Sequence, residues 1–268
     1  MPAPLRSTVV VAGLVLATSA GIAACGGGES PPPYTPPALE ARLATLLAGG
    51  FTVDASPIGG RLHGEIVPAS SHDPEQLPVL NGAPAHLRFA FDDAVLPAAV
   101  NYRNQQVLVY SLAEYRSHFI GGARAGFDRR IGALRAIIRD TAAPIEGEIP
   151  VFPQVDADQR FRARVRWISF DGGRGIAFVT QYSKDASPPG PDDLAWVFQG
   201  LTDDDRWLVA VFHPIHATGV PASEDPRRVA GALDTLPPDA FHPDPAVLAQ
   251  MAATIRFAPD PSPNPRRP

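Results

Sequence analysis

The sequence predicts an α+β fold, a mainly antiparallel sheet with helices packed on it. Three observations point there. Strand-like segments cluster in two hairpins between Phe161 and His216, the densest apolar part of the chain. A pair of helical patterns precedes them, between Ser111 and Arg139. Asp225-Pro226 and Asp244-Pro245 then open helical patterns after them.

Taken in order, Leu39, Leu43, Leu46 and Leu47 fall on one side of a short helix that Gly49-Gly50 stops. Phe51 to Pro84 is weakly patterned, with one strand expected over Leu62–Val67. Better strands follow at Leu87–Phe91 and Gln106–Tyr110. Ser111 and Glu114 have the spacing of a capping box, so a helix should run from there through Phe119, burying Leu112, Tyr115 and Phe119. A second helix is expected over about Ala125 to Arg139. Phe127, Ile131, Leu134 and Ile138 form its apolar stripe, and Arg129, Arg130, Arg135 and Arg139 lie mostly off it. Ile145 to Val155 is a proline-broken approach to the central strands.

In the central stretch, Phe161, Ala163, Val165 and Trp167 alternate with Arg162, Arg164 and Arg166, the period of a strand with one buried face. Asp171-Gly172-Gly173 makes the turn, and Ile176–Tyr182 returns. Lys184 to Pro191 is too rich in proline for a helix or a central strand. The second hairpin spans Leu194–Leu201 and Arg206–His213 around Thr202-Asp203-Asp204-Asp205. The helix expected at Pro226 runs through Leu233. The one at Pro245 runs to about Ile255, with Leu248, Met251 and Ile255 inward. Trp167, Trp196, Phe198 and Trp207 each have apolar neighbours two positions away, so they read as core rather than as a sugar-stacking platform.

Residues 1–24 have the parts of a secretory signal: Arg6 near the start, an apolar run from Val9 to Ala20 too short to span a bilayer comfortably, then small residues. They end Ile22-Ala23-Ala24-Cys25, and Cys25 is the sole cysteine of the chain. This run resembles the lipobox of bacterial lipoproteins. The resemblance implies cleavage before Cys25 and acylation of that residue, the palmitate-type chains then holding the protein to a membrane. Gly26 stands where Asp would resemble an inner-membrane retention signal, which favours the outer membrane if the source has one. Residues 25–38 read as the lipidated cysteine and a Pro/Gly tether, 39–257 as one α+β domain, and 258–268 as a disordered proline-rich tail.

The run from Trp196 to Asp204, the strand after it, His213-Pro214-Ile215 and the C-terminal helix resemble an uncharacterised group of exported bacterial proteins over roughly Leu87 to Phe257. The group implies no activity. In element order alone the body also resembles the PsbP-like α/β/α sandwich.

Charge and motifs exclude several classes. A net charge of −5 argues against nucleic-acid binding. One cysteine makes neither an internal disulfide nor a thiolate metal cluster. Gly172 to Gly175 sits in a hairpin and not between a strand and a helix, so it is no phosphate loop, and no cofactor is expected. No serine lies in Gly-x-Ser-x-Gly. The acid pair Glu146 and Glu148 lies in an irregular stretch. Asp203 to Asp205 lacks the pattern of a calcium loop, and His213 and His216, three apart at a strand end, read as half-exposed histidines rather than metal ligands.

One polar feature stands out. The stripe Arg162, Arg164, Arg166 is a candidate surface for an anionic partner, such as a lipid headgroup or cell-wall polymer. Its alternatives are a solvated sheet face paired with acids, or arginine stems against a helix. The function expected is that of an exported, lipid-anchored cell-envelope protein that binds or scaffolds without chemistry of its own. The alternative is an envelope hydrolase whose site assembles only in three dimensions, which a serine or a carboxylate pair beside a histidine in one cleft would reveal.

Overall fold

The computed structural model describes residues 39–70, 73, 75, 83–92, 94, 96 and 101–258. The expected signal and tether, Cys25 with them, and the tail beyond Ala258 lie outside the described residues. In chain order the elements are α1 (Leu39–Thr45), β1 (Phe51–Thr52), β2 (Leu62–Val67), β3 (His86–Phe91), β4 (Gln106–Ser111), α2 (Leu112–Ser117), α3 (Gly121–Arg139), β5 (Asp158–Gln159), β6 (Ala163–Phe170), β7 (Gly173–Thr180), β8 (Tyr182–Ser183), β9 (Leu194–Thr202), β10 (Trp207–Ala217), α4 (Pro226–Thr235), β11 (Phe241–His242), α5 (Pro245–Ala253) and β12 (Arg256–Phe257).

The fold is α+β. The main sheet runs β2-β3-β4-β10-β9-β7-β6 with every neighbour antiparallel, and β11 is added against the end of β10. Strands that follow one another in the chain within the β2-β3-β4-β10-β9-β7-β6 path pair with each other, β7 with β9 because β8 lies outside it. The exception at the centre is β4 with β10, where Tyr110 lies opposite Leu208.

Both faces of this sheet are covered, which is why β9 and β4 are buried along their whole length. On one face Val107, Val109, Val209, Val211, Trp196 and Phe198 meet Leu43 of α1, Leu233 of α4 and Met251 of α5. On the other, Leu108, Tyr110, Leu208, Val197 and Phe178 meet Tyr115 of α2 and Phe127, Ile131, Leu134 and Ile138 of α3. The layers are therefore α/β/α. Trp196 is 1% exposed and Phe198 fully buried, and truncating either to Ala would cost about 3–5 kcal/mol.

Local chemistry sets the helix starts. The Ser111 hydroxyl accepts from the Glu114 amide at 3.4 Å, as the capping box requires. Asp225 and Asp244 accept from the amides of Arg227 and Ala246 at 3.0 and 2.8 Å, each with proline opening the helix behind it. Gly49, at φ 115°, closes the turn after α1. Helix α3 begins at Gly121, one turn before the expected Ala125. The two glycines there hide the start from any propensity argument, but its stripe is the predicted one.

Strand β6 departs from the expected alternation. Between Ala163 and Arg166 the register against β7 slips by a β-bulge, with Arg164 at φ 54°. Phe161 and Ala163 face α4 and α5. Beyond the bulge Ile168 and Phe170 take that face, and Val165 and Trp167 turn to the α3 side. Trp167 is thus half-buried on the opposite core from Trp196 and Trp207, its indole N–H donating to the Ile137 carbonyl at 2.9 Å.

Candidate functional site

A polar cleft of about 350 Å³ opens on the α3 side of the sheet, between α3, the 148–159 segment and β8. The irregular segment is held down by its apolar residues. Ile149, Val151 and Phe152 are buried against the α3-side core. The two-residue ladder of β5 with β8 then fixes the far wall, pairing Asp158 with Ser183 and Gln159 with Tyr182.

Arg130 projects into this wall from α3. Its guanidinium carbon lies 5.9 Å from the centre of the Phe152 ring, and Nη2 donates to the Val151 carbonyl at a long 3.4 Å. Among the described residues no carboxylate comes within ion-pair distance of it. Burial lowers its pKa, while the charge of Glu148, also in the lining, acts in the opposite sense. A half-buried cation left without a counter-ion costs stability.

Tyr182 supplies a second unspent group. Its side chain is buried and its hydroxyl, although close to the Gln159 side chain, makes no hydrogen bond. Burial raises the phenol pKa, so it is a proton donor at any physiological pH. Gln159 is occupied elsewhere: its Oε1 accepts from the Ile149 amide at 3.0 Å and its Nε2 donates to the Ile149 carbonyl at 3.3 Å. At the rim, Lys184 Nζ pairs with Asp156 at 2.5 Å. Glu148 and Asp158 are exposed. Among the described residues the lining contains neither serine nor histidine.

The sequence did not single out this cleft. Arg130 is one of four arginines off the α3 stripe, and Glu148 sits in a stretch with no period. Tyr182 reads as the apolar end of a strand. A cleft assembled from residues about fifty positions apart leaves no spacing signal.

The residues the sequence did single out are dispersed. The Arg162, Arg164, Arg166 stripe does not share one face. Arg162 donates to the Ile145 and Gly147 carbonyls. Arg164 turns to α4, where its guanidinium donates to the Leu233 carbonyl at 2.8 Å and to that of Leu236, and lies 5.0 Å from the centre of the Phe241 ring. Arg166 is exposed.

His213, expected half-exposed, is 4% exposed, packed edge-on to Phe91. His216 is half-exposed, as expected, and pairs with Asp192 at 2.7 Å. Three positions apart on a strand, the two side chains leave by opposite faces. In the 203–205 turn, Asp204 pairs with Arg206 at 2.5 Å and Asp205 with Arg135 at 2.9 Å. Among the described residues no group of three His, Cys, Asp or Glu side chains could hold a metal ion, and no helix is long and apolar enough to cross a membrane.

Fold and site define an α+β protein of α/β/α layering with a polar cleft under α3. No protein-family model matches the chain, and no curated protein or solved structure matches it.

Proposed function

We propose that this chain is an exported, lipid-anchored protein of the cell envelope whose α+β body binds a small polar ligand without transforming it. The anchor half of this reading is supported by Ile22-Ala23-Ala24-Cys25, with the sole cysteine placed at the end of an apolar run. The binding half is carried by Arg130, a half-buried guanidinium in the cleft that pairs with no carboxylate among the described residues. Binding is favoured over hydrolysis because, among the described residues, the lining holds carboxylates but no histidine, and the nearby Ser183 hydroxyl accepts from the Asp185 amide instead of lining the cleft.

Metabolic labelling with a palmitate analogue tests the anchor. The chain should take up label, and Cys25→Ala should abolish it; an unlabelled wild-type chain overturns the anchor. Turnover of any ligand that binds the cleft, lost in Glu148→Gln, would overturn the non-catalytic half.

A further inference from the structure

We infer that the cleft binds a small zwitterion, a molecule whose carboxylate docks on Arg130 and whose ammonium group docks on Glu148. A free α-amino acid and a short peptide share that chemistry. The inference deepens the binding reading above and rests on it.

The charges lead to it. Lys184 and Asp156 neutralise each other at the rim. What remains charged in the lining is Arg130 and the exposed carboxylates Glu148 and Asp158. Arg130 and Glu148 line the same cleft, and among the described residues they form no ion pair with each other. A plain anion on Arg130 would meet repulsion from Glu148 and Asp158, and a plain cation would meet it from Arg130. A molecule carrying both charges bridges the gap and completes both partners at once.

The floor favours a carboxylate at the Arg130 end. The Tyr182 hydroxyl is a buried donor without an acceptor, and Tyr182 lines the cleft together with Arg130. A carboxylate on the guanidinium brings negative charge to the side of the cleft backed by that donor, whose hydroxyl is itself closed to solvent. Gln159, clamped on both polar groups of Ile149, keeps that floor rigid. A volume of about 350 Å³ is at the small end for ligand sites, the size of an amino acid or dipeptide and not of a polymer.

The test is titration calorimetry on the full lipidated chain in detergent with four probes: alanine, alanyl-alanine, its C-terminal amide and its N-acetyl form. At least one of the first two should bind at low millimolar concentration or tighter, and which of them binds more tightly distinguishes free amino acid from peptide. The amide and the N-acetyl form should each bind about tenfold more weakly or worse. Arg130→Gln and the exposed Glu148→Gln should each cost the zwitterion a similar factor. Should Arg130→Gln fail to fold, Glu148→Gln and the two blocked peptides still decide the matter. Equal binding of the N-acetyl and free peptides would overturn the zwitterion and leave a plain carboxylate site, with the binding reading intact. Absence of heat with all four probes up to about 10 mM would overturn both. The lipid anchor is read separately, by the label on Cys25.

Discussion

The imidazole of His86 lies 4.6 Å from the Tyr110 phenol, ring centre to ring centre, and neither His86 Nε2 nor the Tyr110 hydroxyl has a hydrogen-bond partner. His86 Nδ1 is 2.9 Å from the Pro84 carbonyl, which assigns the neutral ring a proton on Nδ1 and leaves Nε2 as an acceptor. Burial pushes the imidazole pKa down from 6.5 to about 4; the nearby Arg88 acts in the same direction, and the Pro84 carbonyl and Glu65 oppose it.

The folded state therefore holds His86 neutral while the unfolded chain protonates it near 6.5. The stabilisation from the neutral ring is complete above that pH and is lost as the pH falls through the folded value. The total is about 3 kcal/mol, with the buried His213 adding in the same sense. Urea midpoints should hold from pH 7.5 to about 6.5 and then fall towards pH 4.5 in the wild type, and fall less steeply over that lower range in His86→Gln. Parallel slopes would show that His86 is not the titrating group.

A second prediction concerns Arg164, whose side chain occupies the carbonyl end of α4 while its backbone sits at φ 54°. Its own amide donates to Asp234 at 2.5 Å. Arg164→Ala loses the helix-end contacts and keeps the unfavourable backbone, a loss of about 2 kcal/mol. Arg164→Gly loses the same contacts but accepts that backbone, so it should be milder by about 1 kcal/mol. Chemical denaturation of the two variants separates side chain from backbone; equal losses would mean that the bulge carries no strain.

Glycines at two sites should respond to alanine with opposite signs. Gly175 lies opposite Gly200 across the β7–β9 ladder, and a Cβ on it would come within 2.5 Å of both the Gln199 carbonyl and the Phe198 ring. Gly175→Ala should cost about 1–3 kcal/mol, since neither strand can move without disturbing the aromatic packing above. Gly132 lies inside α3 with open space where its Cβ would go. Gly132→Ala should stabilise by about 0.5–1 kcal/mol. Thermal melts of the pair decide it.

These sites show where sequence reading succeeds. Ser111, Asp225 and Asp244 act within a turn of their own position, so their caps were legible. The strands of the two central hairpins were legible too, because period and turn residues are local. The bulge at Arg164 was not. An arginine reads as one more outward residue in an alternating run, and only its capture by Leu233 and Leu236, about seventy residues on, explains the kink. Without the kink, Trp167 was assigned to the wrong face. The cleft was illegible for the same reason: what distinguishes Arg130 from Arg129 is which of them is half-buried, and that is decided by Phe152 and Val151.

The pairing of Tyr110 with Leu208 has a further consequence, for the order of synthesis. The two halves of the sheet, β2-β3-β4 and β6-β7-β9, have no ladder between them until β10 arrives. That strand lies roughly a hundred residues after β4, so the central contact closes late and across a long loop. A nascent or truncated chain ending before Trp207 carries open apolar edges at both β4 and β9, each able to pair with another molecule. The late arrival of one eleven-residue segment thus decides whether the chain closes on itself or adheres to its neighbours.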